Sequence, residues 1–186
     1  GKGYVLGAES GSGAYTTDEH DNYRKRLAAH NTVIANGSGL SGSNWATTMN
    51  TVSLVSSEPK ANVNAISNNF SFATQSINDT YNKCLQQRTN SIVRTSETTG
   101  YYFDIARSKG NTTNNFHDYI YHNIGDAVTL KFTDNTNVPL SASTKYASDT
   151  STNVTGWKFF ESVNSSTATN QAVNVKFSLN VANKFM

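Results

Sequence analysis

The sequence predicts an α+β fold: an N-terminal helical segment of two or three helices, one of them long, followed by a C-terminal antiparallel β-sheet or sandwich of about five strands. Three observations carry this expectation. Thr16 and Glu19 have the spacing of a helix capping box. Apolar residues from Val63 to Cys84 recur at intervals of three and four, the period of one helix face. Beyond about residue 98 the apolar period falls to two, the repeat of a strand.

Residues 1–15, GKGYVLGAESGSGAY, hold five of the twelve glycines and read as a flexible arm with one small apolar cluster, Tyr4, Val5 and Leu6. The helical region is expected over 16–97. Its first helix carries Asp18, Glu19 and Asp21 in the opening turn and Arg24, Lys25 and Arg26 later, the order that complements the helix dipole. Tyr23, Leu27 and Ile34 share its apolar face, and Asn36-Gly37 supplies the stop. A short second helix is marked by Trp45, Met49 and Val52. The third starts at Pro59 and aligns Val63, Ile66, Phe70, Ala73, Ile77, Tyr81 and Cys84 in one stripe. Its outer positions are Asn, Ser, Thr and Gln, mediocre helix formers, so it needs packing along the stripe. A helix of about 30 residues would span roughly 45 Å, more than a compact domain of this size covers. It must therefore break or be buried by neighbouring subunits.

The β region is expected over 98–186, in one compact unit with 16–97. Its strands are read at Tyr101–Ile105, Phe116–His122, Ala127–Thr133, Thr155–Phe160 and Ala172–Val181, separated by Asn, Thr, Ser, Gly and Asp clusters. The last is the clearest, with Val173, Val175, Phe177, Leu179 and Val181 facing one way. The segment from Asn135 to Asn153 is a long polar loop.

Asn, Ser and Thr number 24, 22 and 23 of the 186 residues, while charged residues make up only 15%. Disorder of that composition would require a high net charge, whereas this chain carries +2 and 20 aromatics. The near balance of charge excludes a nucleic-acid groove. No run of apolar residues exceeds three, which excludes membrane insertion by a helix and a signal-peptide core within this chain; a first residue of Gly rather than Met leaves removal of a leader open. Six Asn-x-Ser/Thr sequons occur, about as many as chance supplies here, so they carry no evidence of glycosylation.

Catalytic and cofactor signatures fail one by one. Cys84 stands alone, which permits neither an internal disulfide nor a cysteine zinc site. Gly37 to Gly42 matches G-x-G-x-x-G, but it follows the end of a capped helix and reads as a connecting turn. His20, His30, His117 and His122 are wrongly spaced to share a metal. Asp104, Asp126, Asp134 and Asp149 lack the alternation of a calcium loop and read as Asx turns, so no cofactor is assigned. With no catalytic motif, the chain reads as a protein without enzymatic activity.

The expected function is a structural, self-assembling subunit of an extracellular filament, phage tail or virion. A neutral amide and hydroxyl surface suits close packing of identical copies, because it hydrogen-bonds without like-charge repulsion. Tyr4, Val5 and Leu6 would dock on a neighbour by arm exchange, and Ile66, Phe70, Ile77 and Tyr81 would form a second assembly contact. The alternative is a glycan-binding or adhesive surface module. Aromatics too dense to fit one core would then stack on sugar rings, with Tyr119, Tyr121, Tyr146 and Trp157 as the contacts. The partners are accordingly copies of the chain itself or glycans, at a cell surface, on a virion or outside the cell.

Overall fold

The computed structural model describes residues 7–9, 11–36, 51–80, 83–111, 116–146 and 156–179. Their strands are β1 (Val33–Ala35), β2 (Val52–Glu58), β3 (Phe70–Asp79), β4 (Cys84–Arg94), β5 (Gly100–Gly110), β6 (His117–Tyr119), β7 (Ala127–Phe132), β8 (Ser141–Ala142), β9 (Asn164–Ser165) and β10 (Val173–Ser178). Helical structure among the described residues is confined to single turns. The chain divides into two compact units, Val33–Asp118 and a second built from Gly1–Thr32 with Tyr119–Met186.

The unit Val33–Asp118 corrects the helical expectation. β2, β3, β4 and β5 form an antiparallel meander across the region read as helices two and three. Val63 and Ile66 fall in the β2–β3 connection, Phe70, Ala73 and Ile77 in β3, and Cys84 opens β4. Phe70 and Ile77 point to opposite faces of the sheet, so the stripe does not exist as a surface. The physical reason lies in the residues between the apolar positions. Ser, Thr and Asn stabilise a helix poorly, whereas Phe70-x-Phe72-x-Thr74 on β3 and Thr89-x-Ser91-x-Val93 on β4 alternate as strands do. Phe72 lies off the helical stripe and on the strand repeat.

Register sorts the side chains of this sheet. Phe70, Val93 and Tyr101 lie side by side across β3, β4 and β5, followed on the same face by Phe72, Ser91 and Phe103, then Thr74, Thr89 and Ile105. Ser91 is buried between two aromatics, and the buried Thr74 hydroxyl bonds that of Thr89 at 2.9 Å. The opposite face carries the Arg88–Asp104 pair, in which Arg88 Nε donates to Asp104 Oδ1 at 2.8 Å. At its β3–β4 end it also holds the core of the unit. Cys84 is fully buried there, as is Ile34 of β1, and the Gln86 side-chain amide donates to the Val33 carbonyl at 3.3 Å. Burying a side chain such as Ile34 contributes about 1.5–3 kcal/mol.

In the other unit, the sequence expected a helix from 16 onward. The chain instead makes one π-helical turn, His20–Arg24, then a 3-10 turn, Leu27–Ala29. The cap sits at Thr17 rather than Thr16: the His20 amide donates to Thr17 Oγ1 at 3.1 Å. Glu19 pairs with Arg24 and Asp21 with Lys25, which accounts for most of the basic cluster locally. Ala28 and Ala29 are buried, and Tyr23, Tyr146, Trp157, Phe159 and Phe160 pack into an aromatic cluster. Gly156 lets the cluster close. It has φ 86°, and a side chain there would meet the Asn22 carbonyl at 3.2 Å and the Tyr23 ring at 3.3 Å. That left-handed residue turns Trp157–Phe159 into a 3-10 turn where the sequence expected a strand.

β5, β6, β7 and β10 occupy the other four expected strand segments. β10 pairs antiparallel with β7, placing Val175 opposite Leu130 and Phe177 opposite Val128. β8 lies inside the segment expected to be a polar loop and pairs with β9. The apolar arm cluster Tyr4, Val5 and Leu6, the Gly37–Gly42 motif, Trp45, Met49 and Tyr81 lie outside the described residues.

Candidate functional site

The segment following β6 is held by side-chain and backbone bonds from 28–32. The Ile120 amide donates to the Thr32 carbonyl at 2.8 Å, the His122 amide to Asn31 Oδ1 at 2.6 Å, and His122 Nε2 lies 2.8 Å from the Ala28 carbonyl. Asn31 is itself fixed: its amide donates to Glu9 Oε1 at 3.0 Å and its Nδ2 to the Gly7 carbonyl at 3.0 Å. Glu9 also meets His30 Nδ1 at 2.6 Å. Partial burial pushes the Glu9 carboxyl upward, but the bonds from Asn31 and His30 outweigh it and leave the group below its ordinary range.

This scaffold displays Tyr119 and Tyr121 beside β10. The Tyr121 and Phe177 rings lie 6.0 Å apart, and an open groove of about 600 Å³ is lined by Tyr119, Tyr121, Asn123, Val175, Lys176 and Phe177. Tyr119 and Tyr121 are each nearly half exposed. The lining residues are three aromatics, a valine, an asparagine and a lysine, with no acidic residue among them. Such a set can stack on the C–H face of a pyranose ring, hydrogen-bond its hydroxyls and pair with an anionic substituent.

Of the four expected glycan contacts, the structure brings Tyr119 and Tyr121 together. Tyr146 and Trp157 stack on each other at 5.1 Å within the aromatic cluster, and Trp157 is only 8% exposed, so it serves as core. Val175, Lys176 and Phe177 were missed as site residues because only the fold brings β10 to Tyr121, and Asn123 carried no signal that set it apart among 24 asparagines. Among the expected assembly residues, Ile66 is exposed on a loop, and Phe70 and Ile77 sit on opposite sheet faces. Asp134 Oδ1 accepts from the amide and hydroxyl of Thr136, an Asx turn that lowers its pKa. Asp104 is paired with Arg88, and Asp149 lies outside the described residues. No group of three metal-ligating side chains forms among the described residues, and no helix among them is long and apolar enough to cross a membrane.

Compared with known proteins, the chain is similar over its whole length to part of a carbohydrate-active enzyme, an endo-acting ulvan lyase of Formosa agariphila. The two are 40% identical over 199 aligned residues, and the chain spans about a quarter, 24%, of the length of that relative. No family model and no solved structure matches the chain. This finding overturns two expectations. A chain so similar to part of a polysaccharide-degrading enzyme gives no support to a filament, phage-tail or virion subunit, nor to the reading of a protein without enzymatic activity. The neutral amide and hydroxyl surface behind the assembly reading is equally a material of carbohydrate contact, as are the dense aromatics behind the glycan alternative. Catalytic chemistry on a glycan leaves no fixed spacing when its residues come from separate strands.

Proposed function

We propose that the chain is a glycan-engaging part of an extracellular polysaccharide lyase, and that the groove between Tyr121 and β10 receives an acidic saccharide. The observation that carries this reading is the groove lining itself: three aromatic residues with an asparagine and a lysine and no acidic residue. The similarity to an ulvan lyase supports the substrate class. Elimination from a polysaccharide takes the proton beside a carboxyl group, so the substrate carries acidic sugars and needs its negative charge neutralised. In this reading Lys176 pairs with that carboxylate, Asn123 binds a neighbouring hydroxyl, and Tyr119 and Tyr121 flank the ring. An endo-acting enzyme must hold an internal stretch of polymer, which an open groove admits and a closed pocket would not. A polymer too large to enter a cell places the work outside it.

Electrophoresis through gels containing ulvan tests the proposal. The chain is expected to be retarded by ulvan and not by a neutral dextran, with Tyr121→Ala and Lys176→Ala each reducing retardation. Equal mobility with and without ulvan would reject it. Ultraviolet absorbance of unsaturated ends, followed in the same mixtures, reports whether elimination takes place in this chain.

A further inference from the structure

We infer that the aromatic face of the β2–β5 sheet in unit Val33–Asp118 is a second binding surface for an acidic polysaccharide, separate in sequence and residues from the groove. It takes only its ligand class from the proposed function above.

Register makes this face continuous. Along β5, Tyr101, Phe103, Ile105, Arg107 and Lys109 all project from it, because alternate residues of a strand share a side. That row is roughly 27 Å long at about 3.4 Å per residue, room for several sugar rings. At one end Phe70 and Phe72 lie 5.6 Å apart on β3, and Tyr101 and Phe103 lie 5.4 Å apart on β5. Tyr101, Phe103 and Ile105 are each 47–48% exposed, an expensive arrangement for a sheet with no use for it.

The other end is basic. Arg107 and Lys109 are exposed and form no ion pair among the described residues. The cations and anions of β3 to β5 are sorted by side. Asp79, Arg88, Arg94 and Asp104 project from the opposite face, where Arg88 is neutralised by Asp104. On the aromatic face the only carboxylate of the four strands is Glu58 at the end of β2, and its Oε1 accepts the Ile66 amide at 2.6 Å. Gln87 lies directly beside Arg107, with Ser76 on the far side of Gln87, and both supply neutral hydrogen-bonding groups. Aromatic platforms leading into unpaired cations and amides match a polymer whose rings stack and whose carboxylates or sulfates need counter-charges. A neutral polymer would use the rings and ignore Arg107 and Lys109.

The test compares wild type, Phe103→Ala, the double variant Arg107→Gln/Lys109→Gln, and Tyr121→Ala in the groove, by gel retardation in ulvan over a range of salt. Light scattering and thermal unfolding on each control for assembly and folding. The double variant is expected to bind roughly fivefold more weakly at low salt, the worth of two exposed ion pairs, and to lose part of the salt dependence. Phe103→Ala is expected to weaken binding at all salt concentrations, and both effects should multiply with that of Tyr121→Ala. If only Tyr121→Ala weakens binding, this inference fails and the groove reading stands. If only the sheet variants weaken it, the groove reading fails and the inference stands. A wild-type dimer dissolved by Phe103→Ala, with ulvan binding unchanged, would overturn the inference in favour of a contact between copies.

Discussion

The two units spend their aromatic residues in opposite ways. In the unit of Gly1–Thr32 and Tyr119–Met186, Tyr23, Tyr146, Trp157 and Phe160 pack against one another, with ring centroids 5.1–6.3 Å apart, and strands there are short. In Val33–Asp118 the strands are long and regular, while Tyr101, Tyr102 and Phe103 stand exposed. Backbone pairing maintains the second kind of unit with little side-chain burial, so its rings are free for contact. The first kind has few ladder bonds and depends on its rings for cohesion, leaving Tyr15, Tyr119 and Tyr121 as its exposed rings among the described residues. Aromatic content alone therefore does not identify a glycan platform; the length of the paired strands decides what the rings are for.

The largest effect that sharpens this contrast is in the aromatic cluster. Trp157→Ala is expected to cost about 3 kcal/mol or more, read by thermal or denaturant unfolding, whereas Phe103→Ala on the sheet should cost well under half of that. Equal losses would break the distinction. Gly156→Ala comes next: φ 86° and contacts of 3.2–3.4 Å leave no relaxed place for a methyl group, so a loss of about 1–2 kcal/mol is expected in the same measurement.

A smaller effect concerns acid. Glu9, Asp18, Asp21 and Asp134 all belong to the Gly1–Thr32 and Tyr119–Met186 unit, and all are held below their ordinary values. Hydrogen bonds from Lys158 lower Asp18 and those from Lys25 lower Asp21, with Thr136 doing so for Asp134. A depressed carboxyl stabilises the fold when ionised. That contribution is complete above the unfolded-state value of about 4 and fades as pH falls through the lower folded value. Amide exchange across 16–31 should accordingly accelerate as pH drops below about 4, after correction for intrinsic rates. Protection that stays constant to pH 2 would contradict this. The smallest effect is expected from Asp104→Asn, which loosens a partly exposed ion pair on the sheet's non-aromatic face and should cost below about 1 kcal/mol without altering ulvan binding.

The later strands were legible because their apolar residues alternate between turn clusters, as Val173, Val175 and Phe177 do in β10. β3 and β4 were not. The spacing from Val63 to Cys84 imitates a helix, and a sheet exposed on both sides imposes no strict alternation to contradict it. Phe70-x-Phe72 and the density of Ser, Thr and Asn were the signals that outweigh such a stripe. Two of the six lining residues were visible, as tyrosines. Trp157 looked equally eligible, but Gly156 folds it inward, and Val175, Lys176 and Phe177 reach Tyr121 from more than fifty residues away on a strand whose pairing no local pattern announces.

The most direct measurement of the central claim is titration calorimetry of the intact chain with ulvan fragments, wild type beside Tyr121→Ala. Saturable binding by wild type, weakened about tenfold by the loss of one stacking ring with no change in unfolding midpoint, is the expected result. Absence of binding, or an affinity that Tyr121→Ala leaves untouched, would contradict the assignment of the groove.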